Sequence, residues 1–518
     1  MSNIDVFNEG GYKWYSRNGI SVRGFIYDDY DQLYENYDLL DYFEEVTDEQ
    51  SFCRKLIKAN GIFSVVIEKS NLVFASVDRL RVMPLFYSFN DELYIKDLTC
   101  RIKYYEKDLN EESVIEYLNS GYVTGDKTLL NNWKQIQAGE YIIYNIESKN
   151  IRTKRYFNYI HNDYIEEEKE ILISKLGETL EKVFERIIKK LNGRCAVVPL
   201  SGGYDSRLIV YMFRKFNYEN VLCFTYGKKR NWESKISKKV AAHYRYKWFF
   251  IEYTKQNLND LYNNEIDDFI RFSFNMSSVA HTQDLLAVKL LKEDDLIPPD
   301  SVFIPGHSGD FVAGSHLSYN MCETNFNLTE CIVNMHFNIF KGQLSDDQKK
   351  IIKKNVDNFR EELGYKNLSN DNIFESWEWQ ERQSKYTCNS IKVYEYFGYE
   401  YLLPLWDKEY MDYWLQINFN HRLDRKLYFS YVQTTDQICI PINPNRNIIL
   451  KYYDKIFDVW WGRFFRKNKI WNIATKRYKD LFDDSLLKYV DKNIKIRHCS
   501  KVSINISKIL EVYFKGVE

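Results

Sequence analysis

Ala196-Val197-Val198-Pro199-Leu200-Ser201-Gly202-Gly203-Tyr204-Asp205-Ser206 reads as a buried strand that runs through a glycine loop into a helix. Pro199 sits at the end of the apolar run, where a lost ladder hydrogen bond is tolerable. Gly202 and Gly203 permit tight, left-handed backbone and the close approach of a polyanion. Backbone N–H groups in such a loop, and at the start of the helix after it, hold phosphate oxygens; the Ser201 and Ser206 hydroxyls add donors. Asp205 is out of place beside phosphate unless a cation intervenes. Mg²⁺ takes carboxylate and phosphate oxygens together, so Asp205 is a candidate metal ligand. No Gly-Lys-Ser/Thr follows, which excludes a Walker loop. Two glycines alone would mark only a strand-to-helix turn. The whole string, set between a buried strand and an amphipathic helix, points to a nucleotide site, with Leu200, Ser201, Gly202, Gly203, Asp205 and Ser206 as its pyrophosphate contacts.

Outward from this loop the pattern alternates. Ile165 to Leu191 is helical in period, with Leu172, Leu176, Leu180, Val183, Ile187 and Leu191 at three- and four-residue steps. After the loop, Leu208, Ile209, Met212, Phe213 and Phe216 share one helical face. Val221 to Tyr226 is the next strand, Glu233 to His243 the next helix, and Tyr246 to Ile251 a third strand. Strand–helix–strand–helix–strand predicts a doubly wound parallel sheet, in which ligands sit beyond the carboxyl ends of the strands. Tyr226, at the end of its strand, joins the candidate nucleotide contacts on that ground. The chain beyond reads mainly as helices. Residues 1–160 are instead strand-rich, with three hairpins: Gly61–Ile67 with Leu72–Val77, Leu85–Phe89 with Leu93–Ile95, and Gly139–Tyr144 with Ile151–Tyr156. The expected division is therefore a β-rich unit over 1–160 and an ATP-binding unit over 161–518.

A chain of 518 residues, 45% hydrophobic and 28% charged, supports two packed domains. Its 72 basic and 73 acidic side chains leave a formal charge of −1, which argues against bulk electrostatic binding to nucleic acid or to an anionic membrane. The nine cysteines are scattered without a Cys-x-x-Cys, so a disulfide framework or zinc site is not expected. With no signal-peptide pattern at the start and no uninterrupted apolar run of about 18 residues, the expected location is the cytoplasm.

The string Pro199 to Ser206 resembles the loop of the PP-loop ATP pyrophosphatases, which cleave ATP between the α and β phosphates. Further stretches resemble the asparagine synthetase branch. Val302-Phe303-Ile304-Pro305-Gly306-His307-Ser308-Gly309-Asp310-Phe311 is similar to that family's second signature; the resemblance places Gly306 near the nucleotide and Asp310 as the second metal ligand. Tyr399 to Asp407 and the earlier Glu381-Arg382-Gln383-Ser384 resemble the stretch that follows. Phe74 to Tyr87 is similar to part of the family's glutaminase domain. The resemblance implies an N-terminal Ntn-hydrolase-like domain, a C-terminal synthetase domain with a helical C-terminal part, ATP and Mg²⁺ as cofactors, and a carboxylate substrate adenylated before ammonia or an amine attacks.

The pattern breaks in three places. The glutaminase nucleophile is an N-terminal cysteine after Met removal, and position 2 here is serine, so the glutaminase-like domain is expected to be a degenerate remnant. The signature's glutamate is His307 here. Relatives without glutaminase activity pair a residue at that position with the glutamate matching Glu400, so a His307–Glu400 dyad is expected to deprotonate the amine. The family's late, pyrophosphate-stabilising lysine has no local motif here; Lys426, Lys451 and Arg446 are candidates.

The resulting expectation is an amide-forming, AMP-producing ligase. The strings resemble proteins linked to capsule or O-antigen assembly, which implies a uronic-acid carboxylate on a nucleotide sugar or glycan, met by Arg207 and by Lys228-Lys229-Arg230. A natural-product cyclase of the lasso-peptide or β-lactam type and a non-catalytic nucleotide-binding scaffold stand as alternatives. The nitrogen donor would be ammonia or an amine supplied by another enzyme. A homodimer is left open.

Overall fold

Ala196–Pro199 is the central strand of a five-stranded, wholly parallel sheet. The computed structural model describes residues 2–435 except 8–9, 100–101, 103–107, 230, 324, 338–343 and 365–367. Across the sheet the order is Lys247–Glu252, Val221–Gly227, Ala196–Pro199, Val302–Phe303 and Glu400–Tyr401. The first three strands in the chain therefore step to one side of the centre and the last two to the other. Such a reversal opens a crevice between the central strand and the one at which the order reverses. The loops at Ser201–Gly203 and Pro305–Ser308 leave the carboxyl ends of those two strands.

The local reasons for this arrangement lie in the sequence. Ala196, Val197 and Val198 are fully buried, as a strand covered on both faces requires. Helix Tyr204–Lys215 turns Leu208, Ile209, Met212 and Phe213 inward. Helix Trp232–Tyr244 is capped by Asn231, whose side chain accepts from Ser234 N at 2.6 Å. The long helix Lys169–Leu191 buries the expected stripe and ends at Asn192, in the left-handed conformation.

The N-terminal part holds two sheets. The larger, of seven strands, runs Asn150–Arg155, Glu140–Asn145, Leu72–Val77, Asn60–Lys69, Ile20–Tyr27 and Trp14–Arg17, with Leu33–Glu35 also paired to Ile20–Tyr27; every pairing is antiparallel. The smaller contains Ser2–Asp5, Glu92–Lys96, Phe86–Asn90 and Lys134–Gln135. Val66, Val73, Ala75, Val77, Leu85, Leu93, Ile95 and Ile142 pack together between the two sheets. Helices Asp38–Phe43 and Glu49–Lys58 cover the opposite face of the larger sheet through Leu39, Leu40, Phe43, Phe52 and Leu56. All three expected hairpins form, with Ser70 and Asp91 taking the positive φ that two of the turns demand.

A ten-residue π-helical segment, Glu378–Thr387, joins the two parts. It is buried along most of its length. Glu381 accepts from Gly125 N, Lys385 donates to the Val123 and Gly125 carbonyls, and Trp379 donates to the Arg79 carbonyl. Lys385 and Glu381 also pair with each other. Wide π turns are rare and concentrate where function needs a side chain re-aimed. Among the described residues no helix is long and apolar enough to cross a membrane.

Candidate functional site

The loop after the central strand is built to hold an anion. Helix Tyr204–Lys215 starts at Gly203 with no side-chain cap, so its first N–H groups are left for a ligand. Ser201 and Ser206 are 3.1 Å apart at their hydroxyls, and Ser201 Oγ accepts from Gly203 N at 3.0 Å. Gly202 is forced: a Cβ there would stand 2.8 Å from the Trp232 ring. The fully buried Arg207 donates to the Gly202 carbonyl at 3.0 Å. It braces the loop from beneath rather than facing a substrate. Lys228 and Lys229 are exposed, and Arg230 lies outside the described residues.

The second loop closes directly on the first. A Cβ on Gly306 would lie 2.9 Å from Ser206 N, and one on Gly309 would lie 3.0 Å from Asp205 Cγ and inside the contact radius of Leu405 Cδ1. Both glycines exist so that the loops can touch. Asp310 follows, and its backbone N–H and its carboxylate both act on Asp205. Burial and the like charge of Asp310 push the Asp205 carboxyl up to about 7. Tyr428 opposes this by donating its hydroxyl to Asp205 Oδ1 at 2.6 Å. Arg425 adds a favourable field. It lies over the Phe429 ring and makes no ion pair with any described residue. Asp424 and Arg425 both take positive φ, +57° and +56°, an uncommon run for two non-glycine residues and one that functional sites tolerate. Lys426, next in the chain, is exposed; Arg446 and Lys451 lie outside the described residues.

The expected dyad does not assemble. Glu400 pairs in register with Val302, which pairs with Ala196, so Glu400 sits level with the amino end of the central strand. The glycine loop begins at Ser201, five residues later, about 17 Å along an extended chain. Glu400 meets Arg194 Nη1 at 3.1 Å and Lys190 Nζ at 3.6 Å instead. His307 is at the crevice end, where its Nε2 meets Ser390 Oγ at 3.3 Å and its Nδ1 has no partner. Burial pushes its pKa down to about 4, so the ring is neutral at pH 7. His281 lies near it and is likewise held down to about 4 by burial, its Nε2 also unpartnered. Ser308 donates to Gln383 Oε1 at 2.6 Å, which ties the second loop to the π-helical segment.

Tyr226 is at the crevice end of its strand, donating its hydroxyl to Asp284 and stacking on Tyr253 at 5.1 Å. Tyr394 donates to the other Asp284 oxygen at 3.2 Å. Asp284, Tyr428, Arg425 and His281 carry no local motif, and sequence reading passed over them.

Mg²⁺ fits this crevice. Two carboxylates, Asp205 and Asp310, converge beside uncapped N–H groups, and the raised Asp205 pKa records negative charge that the protein alone leaves under-compensated. A cation that bridges carboxylate and phosphate oxygens answers that charge. Among the described residues no cluster of three or more His, Cys, Asp or Glu could hold a metal by itself; phosphate oxygens of a bound nucleotide would supply further ligands.

Sheet order, glycine loop and paired aspartates at the switch point define the class: a doubly wound α/β domain with a crevice at its switch point. Residues 196–429 match the model of the asparagine synthase family. A protein of Methanocaldococcus jannaschii named "Putative asparagine synthetase [glutamine-hydrolyzing] 2" is 21% identical over 284 residues, which are 52% of this chain and 51% of that protein. The chain thus spans about half the length of this curated relative. Among solved structures, an NH3-dependent NAD synthetase from Campylobacter jejuni is 12% identical, covering 39% of this chain and 99% of its own, at a TM-score of 0.21. A glutamine phosphoribosylpyrophosphate amidotransferase from B. subtilis is 11% identical, covering 56% and 62%, at a TM-score of 0.18.

Proposed function

We propose that this chain is an ATP-dependent carbon–nitrogen ligase, which adenylates a carboxylate and transfers the acyl group to ammonia or an amine. The observation that carries the reading is the meeting of Asp205 and Asp310 against the uncapped helix start at the switch point. The uncapped N–H groups at the start of helix Tyr204–Lys215 and the Arg425 guanidinium hold the β and γ phosphates, and Ser201 and Ser206 turn their hydroxyls from each other toward phosphate oxygens. Asp205 and Asp310 would hold Mg²⁺, which, when bound, neutralises charge on the departing pyrophosphate. A carboxylate oxygen of the substrate attacks the α-phosphorus and pyrophosphate leaves. The amine then attacks the acyl carbon and AMP leaves. His307, neutral and with a free Nδ1, positions the amine by hydrogen bonding. Its low basicity makes it a weak acceptor for the full proton.

The acyl substrate we favour is a uronic-acid carboxylate on a nucleotide sugar or glycan; the support is the resemblance of the Gly306–Phe311 and Ser201–Arg207 strings. The cyclase alternative rests on an architecture shared with proteins that carry a degenerate glutaminase domain; Glu400, held by Arg194, gives it no His307–Glu400 base. ATP–pyrophosphate exchange tests the proposal, run with a panel of carboxylic acids that includes uronic acids and aspartate. Exchange that appears only with a cognate acid is expected. ATP binding with no exchange across the panel would leave a nucleotide-binding protein without turnover. Running the amidation step with glutamine, with ammonium and with primary amines then identifies the nitrogen source.

A further inference from the structure

A cavity of about 280 Å³ lies between the β-rich part and the helical part. It shares no lining residue with the Asp205–Asp310 crevice. Its wall on one side comes from Thr124–Lys127, Gln137, Glu140, Thr153 and Arg155. On the other side it comes from helix Asp346–Glu362 and from Trp377, Gln380 and Glu381 at the start of the π-helical segment. Burial and function pull apart here. Gln137, Glu140 and Gln380 are 5%, 6% and 2% exposed, yet each has a side-chain atom with no hydrogen-bond partner among the described residues. Gln137 donates its backbone N–H to Glu140 Oε2 and accepts from Gln380 Nε2 at its Oε1, which leaves Gln137 Nε2, Glu140 Oε1 and Gln380 Oε1 unmatched. All three residues line the cavity.

Other groups on the wall are free in the same way. Asn355 donates to Glu116 and keeps its Oδ1, Arg155 spends Nη1 on the Ala138 carbonyl, and the Asn358 side chain makes no hydrogen bond to a described residue. Donors and acceptors are therefore both present on the wall. The charged groups nearest them largely answer one another: Lys127 pairs with Glu112, Asp126 with Lys134, Glu381 with Lys385, while Arg155 faces Glu140 and Glu362. A strongly ionic ligand would find little uncompensated charge. Hydroxyl groups, each of which donates and accepts, match such a wall.

We propose that this cavity is a second ligand site and that it takes a neutral polyhydroxylated molecule of monosaccharide size. The site goes beyond the ligase reading, which uses none of its residues. Its position gives it reach, because the π-helical segment that carries Gln380 and Glu381 also carries Gln383, the partner of Ser308 in the nucleotide crevice.

Saturation-transfer NMR on the full chain tests the site with glucose, galactose, mannose, N-acetylglucosamine and N-acetylgalactosamine. Asn358 is exposed, so its replacement leaves the core untouched. Saturable transfer to at least one sugar is expected. It should weaken about threefold to tenfold in Asn358→Ala, the loss of one hydrogen bond, and vanish in Asn358→Trp, whose side chain fills the cavity. The unfolding temperature of each variant, measured alongside, shows that the fold is intact. Absence of transfer to every sugar, transfer unaltered in Asn358→Trp, or displacement of the sugar by ATP would each overturn the proposal. A failed exchange assay for the ligase would leave this result standing, so the two readings fail separately.

Discussion

Tyr428→Phe separates the electrostatics of the nucleotide crevice from its packing. The change removes one hydroxyl, and with it the 2.6 Å hydrogen bond to Asp205 Oδ1. A hydrogen bond to an ionised group contributes about 1.5–3 kcal/mol. The lower end, about 1.5 kcal/mol, gives the smallest shift to be expected. At about 1.4 kcal/mol per pH unit, the midpoint for ionising Asp205 moves from about 7 to about 8. At pH 7 the ionised fraction then falls from about half to about one-tenth, and Mg²⁺-dependent ATP binding weakens about fivefold. Above about pH 9 both proteins are ionised and their affinities converge. Stability follows the same linkage. The ordinary carboxyl value is 3.8 and the folded value lies near 7, so the metal-free fold loses stability as pH rises through that window. Tyr428→Phe should carry the loss on to about pH 8. Isothermal titration with Mg·ATP from pH 6 to pH 9, with thermal unfolding over the same range, reads both effects. A uniform loss of affinity at every pH would refute the reasoning, because it would make Tyr428 a packing residue only.

Four other perturbations discriminate further. Gly309→Ala drives a methyl group against Leu405 and Asp205; ATP affinity should fall more than tenfold while circular dichroism is unchanged. Arg425→Ala should weaken ATP and pyrophosphate binding about tenfold, the scale of one charge-assisted contact, with Arg425→Lys recovering part of it in the same titration. Glu400→Gln should leave adenylation and amide formation unchanged and cost under about 1 kcal/mol in chemical denaturation, since its partner Arg194 is partly exposed. Glu395→Gln leaves the buried Arg23 guanidinium short of its main counter-charge, and denaturation should show a loss of about 3–5 kcal/mol.

Much of the fold was legible because its signals are local. The run Ala196 to Ser206 places strand, loop and helix start in order, and Leu172 to Leu191 announces its helix by period alone. The hairpins around Ser70 and Asp91 are likewise readable from turn residues between β-branched runs. The site was legible only where a motif lies on one loop. Asp205, Gly306 and Asp310 meet because two adjacent strands deliver them to one crevice. Tyr428 and Asp284 are some 223 and 58 residues from their partners, and nothing in their own surroundings marks them. Glu400 failed for the opposite reason. Its neighbourhood carries a family pattern, but strand register decides which end of the sheet a side chain occupies, and a short motif does not encode register.

The β-rich part is more than an attachment to the crevice. Between Trp379 and Glu395 the chain is held to it at both ends. Trp379 donates to the Arg79 carbonyl, Gln380 to Gln137 and Lys385 to Val123 and Gly125, while at the far end Glu395 pairs with the buried Arg23, itself beside Asp97. Lys392 completes that pair from the C-terminal part at 2.8 Å. Between the two anchorages lie Gln383 and Ser390, which hold Ser308 and His307. Buried charges broken on one side leave an uncompensated ion on the other, so the two parts cannot separate without releasing the second loop of the crevice. On this geometry the β-rich part sets the position of His307 and the loop that carries Asp310, whatever chemistry it does or does not perform itself.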